Sequence, residues 1–387
     1  MTIFQILQAA SFSVLALPIH AQGYGATAPR GAAVDKVLVY VGTYTGPKSQ
    51  GIYLLELDLK TGALSPVGLA AKAQSPSFLA LHPNGKVLYA ANESGGGAVS
   101  AFAIDAKTGK LEFLNQKGSK GEAPCHLVVD PTGKNVLLAN YGGGSVAVFP
   151  LGKDGTLGEA SAFIQHKGSS VNKSRQAGPH GHFIAPDPSN RFALACDLGL
   201  DQVLIYRFDP SKGTLTPNDP PAGSVPPGAG PRHLAFDPKG KFAFVINELA
   251  CTVTSFTYDG KRGALSQIET VSTLPPGESV KRNYSTAEIE VHPNGKFVYG
   301  SNRGHDSIVV YAFDAKSKKL QYLQNQSSEG KTPRNFAIAP GGKFLLAANQ
   351  DSDTVVVFKI DPKTGRLSST GISAAAPSPV CVTFLQK

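Results

Sequence analysis

A small set of reactive side chains in this sequence stands at matching places relative to a recurring proline. Glu93, Tyr141, Glu248, Arg303 and Gln350 each directly follow an Asn that lies nine residues after Pro83, Pro131, Pro238, Pro293 or Pro340. Asp197 takes the Asn place after Pro188, and His182, Arg232 and Arg334 stand six residues before their prolines. Brought together, these types would make a pocket of opposed charge. Guanidinium forks match carboxylate and phosphate groups bidentately, and a carboxylate set among them is a candidate for moving a proton. His180 and His182, two apart on an extended run, would share a face and could grip a metal, but no third ligand accompanies them. Hydrogen-bonded histidines, without metal or cofactor, are the expectation.

What must position these groups is a repeated hairpin. Pro231 to Glu248 holds two apolar runs around Asp-Pro-Lys-Gly-Lys, in which Pro presets φ and Gly supplies the positive φ of a turn. Equivalent turns recur at Pro83, Pro131, Pro188, Pro293 and Pro340. A second repeated turn, Asp58 to Leu64, returns at Asp105, Asp209, Asp259, Asp314 and Asp361, with a degenerate copy at Gly152 to Leu157. Each period therefore carries four short strands in two hairpins, the pattern of propeller blades. Seven outer hairpins stand against six inner ones, and Ser378 to Phe384 resembles the first strand of an inner unit. Pairing it beside Val37 to Val41 closes the ring and removes an exposed sheet edge. The expectation is an all-β, seven-bladed β-propeller with four-stranded blades. Residues 36–387 form its single domain, and the C-terminal strand closes the first blade.

Antiparallel pairing brings the two ends of each inner hairpin together, far from its turn. Arg232 and Glu248 are thus expected side by side at one mouth of the central channel, with Glu93, Tyr141, Arg303 and Gln350 around it. His182 and Arg334 join them from the first strands. Three long connections, Gln165 to Pro179, Pro217 to Pro231 and Leu274 to Ser285, lead into first strands and so must lie over the same mouth. They bring Lys173, Arg175, Lys281 and Arg282 to its rim. Asn92, Asn140, Asn247, Asn302 and Asn349 are read as structural, capping strand ends, and His82 and His292 as turn residues.

The net charge of +9 comes largely from lysines in the repeated turns, which split between opposite ends of the strands. That is a solvated rim, not a nucleic-acid patch with interleaved aromatics. The four cysteines (Cys125, Cys196, Cys251, Cys381) are scattered, so neither zinc nor disulfides are indicated. Residues 1–21 carry no Lys, Arg, Asp or Glu, and an apolar run leads to Ile19-His20-Ala21, which reads as a secretory signal. Residues 22–35 would be a flexible lead. The run is too short for a membrane anchor. A periplasmic or secreted monomer follows, or a cytoplasmic one if residues 1–21 are not a signal.

The ordered set His180-Gly-His182-Phe, Asp197-Leu-Gly-Leu-Asp201, Gly230-Pro-Arg-His-Leu234, Asn247-Glu248, Ser285-Thr-Ala-Glu-Ile289 and Ser301-Asn-Arg-Gly-His-Asp-Ser-Ile308 resembles the lactonase family of seven-bladed propellers. The resemblance spans about residues 36 to 387. That family includes a bacterial 6-phosphogluconolactonase and a fungal enzyme that cyclises carboxy-cis,cis-muconate. In the cyclising branch a His, an Arg, a Glu and a second Arg are implicated. By motif they fall on His180 or His182, Arg232, Glu248 and Arg303. The resemblance implies hydrolysis of a sugar lactone, with Glu248, alone or with a histidine, activating water. Arg232 and Arg303 would hold the substrate's anionic group or the oxyanion. Glu288, Glu93, Tyr141, Asp197 and Arg334 complete the set as substrate-binding candidates. Two other activities stay open at this point: intramolecular lactonisation of a muconate-like diacid, and partner binding by a secreted propeller without catalysis. Glu248 and Arg232 could also be a structural ion pair at a blade end.

Overall fold

The computed structural model describes residues 35–385, which form seven four-stranded antiparallel sheets. The proposed signal and most of the lead lie outside the described residues. Six sheets are continuous in sequence, and their innermost strands are Pro76–Leu81, Pro124–Val129, Gly181–Pro186, Pro231–Phe236, Ser285–Val291 and Pro333–Ile338. We number these blades 2 to 7. Blade 1 takes its innermost strand from the C-terminus. Pro379–Leu385 pairs antiparallel with Lys36–Thr43, setting Leu38 opposite Leu385 and Val41 opposite Val382. The ring is closed as the repeat count required.

The sequence of each inner hairpin explains its form. In blade 5 the Asp237 carboxylate accepts hydrogen bonds from the backbone N–H groups of Lys239, Lys241 and Phe242, which fixes the turn. Gly240 sits at φ +62°, and a Cβ there would come within 2.8 Å of Pro188 in the preceding blade. His82 and His292 use the Asp place differently: one ring nitrogen accepts the turn N–H, and the other bonds a glycine carbonyl of the next blade (Gly133 or Gly342).

Second strands such as Phe242–Asn247 are buried at every position, because neighbouring blades cover both faces. This is why they read as unbroken apolar runs instead of alternating ones. Between blades 4 and 5, Leu194, Ile205, Val245 and Phe256 interdigitate. Each such fully buried side chain contributes about 1.5–3 kcal/mol. Hydroxyls of Tyr40, Tyr89 and Tyr299 reach across to the carbonyls of Gly109, Gly155 and Gly365 in the following blade. At the other end, Asn92, Asn140, Asn302 and Asn349 donate to the carbonyls of Gln74, Ser119, Thr273 and Ser328, where the preceding blade ends. These four Asn residues bind blade to blade at strand ends, whereas Asn247 donates to Thr252 and Thr254 within its own blade.

Two features differ from the expectation. The outer strand of blade 4 runs over Thr214–Ser224, so the connection that follows is only residues 225–230 and not Pro217 to Pro231. And every inner strand breaks register beside its first residues, for instance between Pro231 and His233, Pro333 and Asn335, and Thr286 and Ile289. A bulge of this kind turns consecutive side chains toward the same side of the sheet.

Candidate active site

The bulges build the channel lining in two tiers. Of the residues after each opening position, His182 and Arg334 reach the upper tier, while Ser77, Cys125 and Arg232 border the space beneath it. The next residue (Phe78, His126, Phe183, His233, Glu288, Asn335) is in the lower one. His126 packs between Phe78 and Phe183, with ring centroids 4.3 Å from each, and His233 closes against all three. This aromatic plug gives the channel a floor. Above it opens a pocket of about 310 Å³ lined by Glu93, Tyr141, Arg175, His182, Glu248, Ser285, Arg303 and Arg334.

Glu248 is the electrostatic centre of the upper tier. Its Oε1 accepts from Arg175 Nη2 at 2.7 Å; its Oε2 accepts from Arg232 Nε at 3.2 Å and faces Arg303 Nη2 at 2.9 Å. Burial alone would raise its pKa, but Arg303, Arg232 and Arg175 outweigh that and hold it at about 2. Arg232 is itself buried and donates to the Ala287 carbonyl at 2.8 Å. Burial, then Arg303 and Arg334, lowers its pKa to about 10, which leaves it charged at neutral pH. Arg303 donates to the Thr286 carbonyl at 2.8 Å.

Arg334 differs from the other three arginines. Among the described residues its guanidinium has no hydrogen-bond or ion-pair partner, only the face of the Tyr44 ring at 5.3 Å. Glu93 accepts the Tyr44 hydroxyl on Oε2 at 2.8 Å and lines the same pocket. Four guanidiniums thus meet two carboxylates here, leaving a pocket that favours anions.

The long loop at residues 166–179 delivers Arg175, and Asp201 anchors that loop. One Asp201 oxygen accepts from Gln176 Nε2 and the Gly230 N–H, both at 2.8 Å; the other accepts from Ser170 Oγ at 2.5 Å and the Gly228 N–H at 2.6 Å. Asp197 lies behind the wall, fully buried. It bonds His166 Nδ1 at 2.6 Å and the backbone N–H groups of His180 and Gly199. It therefore positions other groups and does not reach the pocket as a substrate-binding residue would. His180 stacks on the Tyr141 ring at 4.6 Å with Nδ1 on the Tyr141 carbonyl, while His182 lines the pocket. Burial, then Arg232 and His233, drives the His182 pKa well below its ordinary value, so the ring is neutral. Of the other expected rim cations, Lys281 is taken up by Glu278 and Tyr284, and Lys173 bonds the Ser170 carbonyl.

Glu288 sits lower than the sequence placed it. It belongs to a second, water-sized chamber of about 10 Å³ beneath the pocket, with Ser77, Cys125, Arg232, His233 and Asn335. Glu93 and Arg334 line both spaces. Burial raises the Glu288 pKa to about 7, against the opposing pull of Arg232. His233, Asn335 and Tyr44 were not singled out from the sequence. The signal for the first two was present, as the second residue after Pro231 and Pro333, but it becomes readable only once the bulge is known. All four cysteines are buried and free, and no group of His, Cys, Asp or Glu among the described residues is arranged to hold a metal. Among the described residues, no helix is long and apolar enough to cross a membrane.

Comparison with known proteins agrees with this architecture. The family described as "Lactonase, 7-bladed beta-propeller" matches residues 38–384. A 6-phosphogluconolactonase of Bacillus subtilis is 39% identical over 355 residues, covering 92% of this chain and all of that one. A crystal structure from Bacteroides fragilis superposes with a TM-score of 0.86 at 37% identity, over 92% of this chain and 100% of the other. A periplasmic gluconolactonase of Pseudomonas aeruginosa gives 0.85 at 33%, over 91% and 99%. Fold and sequence agree: this chain belongs to the lactonase family of seven-bladed β-propellers.

Proposed function

We propose that this protein hydrolyses a sugar lactone that carries an anionic substituent, of the 6-phosphogluconolactone kind, with Glu93 as the proton acceptor. The observation that carries the reading is Arg334: a guanidinium with no hydrogen-bond or ion-pair partner among the described residues, facing a pocket already rich in arginine. An arginine left free in this way is disposed to receive an oxyanion or carboxylate.

The assignment of the base departs from the sequence expectation for a physical reason. A general base works best when its pKa lies near the working pH. Glu248, held at about 2 by three arginines, accepts protons poorly, and its role is to keep Arg175, Arg232 and Arg303 in place. His182 is also depressed, and it serves as a neutral hydrogen-bonding partner for the substrate. Among the described residues the Glu93 carboxylate accepts a hydrogen bond from Tyr44 only and borders the same pocket as Arg334. Water attacks the lactone carbonyl carbon while one of its protons passes to Glu93. The carbonyl oxygen becomes an oxyanion facing Arg334. The ring C–O bond then breaks, and the leaving alkoxide takes the proton back from Glu93. The product is a hydroxy acid, whose ionisation releases one proton.

Arg175, with its side chain 41% exposed at the rim, is suited to a phosphate remote from the reacting carbonyl. The names of relatives point both ways, to a phosphorylated lactone and to an unphosphorylated one handled in the periplasm. The second, with the uncharged stretch at residues 1–21, favours an exported protein. A pH-stat assay with 6-phosphogluconolactone, gluconolactone and a muconate tests the reading. Proton release is expected with the lactones, and Arg175→Ala should raise KM about tenfold for the phosphorylated lactone alone. No release with either lactone would overturn it, and lactone formation from the muconate would favour cyclisation.

A further inference from the structure

The chamber beneath the pocket has no part in the chemistry so far. It has room for a single water. Its walls offer polar atoms on several sides. Ser77 Oγ is buried and finds no hydrogen-bond partner among the described residues. Arg334 and Glu93 form the boundary with the pocket above, and Glu288 and His233 form the far side. Glu288 is held in a defined orientation: Oε1 accepts from His233 Nδ1 at 2.8 Å and the Ile289 N–H at 3.0 Å, and Oε2 accepts from Asn335 Nδ2 at 2.5 Å.

We propose that this chamber holds one water linking Glu93 to Glu288, and that Glu288 stores the proton released when water attacks the substrate in the pocket. The inference rests on the lactone-hydrolysis reading. The proton leaving the attacking water goes to the Glu93 carboxylate as the new C–O bond forms. Glu93 passes it to the chamber water, which gives one of its own protons to Glu288. Glu288 changes from carboxylate to carboxylic acid, and Glu93 is again a base. When the ring C–O bond breaks, the proton returns along the same line to the alkoxide. No oxidant, reductant or other reactant is needed.

The surroundings suit a group that changes charge near neutral pH. Arg232 favours the carboxylate. Glu290 on the same strand is itself raised to about 8 by burial, so it is mostly protonated near pH 7. His233 and His126 face Glu288 from blades 5 and 3 with depressed pKa values, first through burial, so both are neutral. Cys381 of the closing strand is protonated, raised to about 12 by burial. Burial also brings Glu288 to about 7, so it is near half-ionised where the enzyme would work.

The test has two readouts. In the unmodified protein, infrared spectroscopy should show a carboxylic-acid C=O band that titrates near pH 7 and is missing from Glu288→Gln; this needs no substrate. In proton-release kinetics, kcat should rise with pH through the same range. Glu288→Gln should abolish that limb and lower kcat about a hundredfold with KM little changed. Ser77→Val, which fills the chamber while keeping both carboxylates, should give the same loss of the limb even if Glu288→Gln folds poorly. A band titrating near pH 7 that loses no intensity in Glu288→Gln, apart from the Glu290 carboxyl titrating at about 8, or a limb that persists in both variants, would overturn the proposal. A titrating band together with no lactone turnover would refute the lactone reading and leave the proton store standing.

Discussion

Glu248 and Glu288 come from adjacent blades, both are buried, and both line the channel, yet their environments drive them in opposite directions. Glu248 at the mouth is surrounded by three guanidiniums and is an anion at any ordinary pH. Glu288, one tier down, receives a neutral imidazole, an amide and a backbone N–H, and it stays near the point of ionisation. The lesson is that a carboxylate's role in this ring is set by its tier. The upper tier fixes charge for binding, and the lower one keeps a proton available.

The comparison can be broken most forcefully at Glu248. Glu248→Gln leaves three arginines facing one another without compensation, and it should cost about 3 kcal/mol of stability as well as most of the activity. The pH dependence gives the sign. A depressed carboxyl stabilises the fold fully above its ordinary value of 4.5, and that stability disappears as pH falls through about 2. Urea unfolding should therefore show a steep loss between those values in the parent protein and a shallower one in Glu248→Gln. Parallel curves would show that Glu248 is not the counter-charge. Glu288 has the opposite sign: its raised pKa costs stability progressively as pH climbs from the ordinary carboxyl range toward about 7.

Arg334→Ala is expected next in size. It should lower kcat roughly 30-fold while leaving the melting temperature unchanged, because the guanidinium faces the developing oxyanion and makes no hydrogen bond or ion pair among the described residues. A large drop in melting temperature with unchanged kcat would make Arg334 a structural residue. The smallest effect should come from Asp201→Asn, which weakens four hydrogen bonds holding the two mouth loops. KM should rise about fivefold with kcat retained, and amide exchange across residues 166–179 should quicken. Exchange that is unaltered would leave the loop anchored elsewhere.

The ring itself was legible because the two turns repeat. Asp-Pro-x-Gly-Lys and Asp-x-x-Thr-Gly-x-Leu fix local geometry through side-chain-to-backbone bonds that need no distant partner, and the count of hairpins forced the C-terminal closure. The convergence of Arg232, Glu248 and Arg303 followed from hairpin pairing alone. The tiers did not. A regular strand alternates faces and would point Arg232 and His233 opposite ways; the bulge at Pro231/His233 turns both toward the channel. Nor does sequence spacing tell how many arginines surround one carboxylate, and that number separates a base from a counter-ion. Asp197 followed the Asn pattern of the mouth, yet its partner His166, from the end of the preceding blade, holds it inside the wall.

The central claim is that Glu93, and not Glu248, takes the proton from the attacking water. Its most direct test is the kcat for proton release by Glu93→Gln, a variant that can keep the Tyr44 hydrogen bond and the pocket's shape. The account predicts a fall of about a hundredfold or more in kcat with KM nearly unchanged. A kcat equal to that of the parent protein would contradict it.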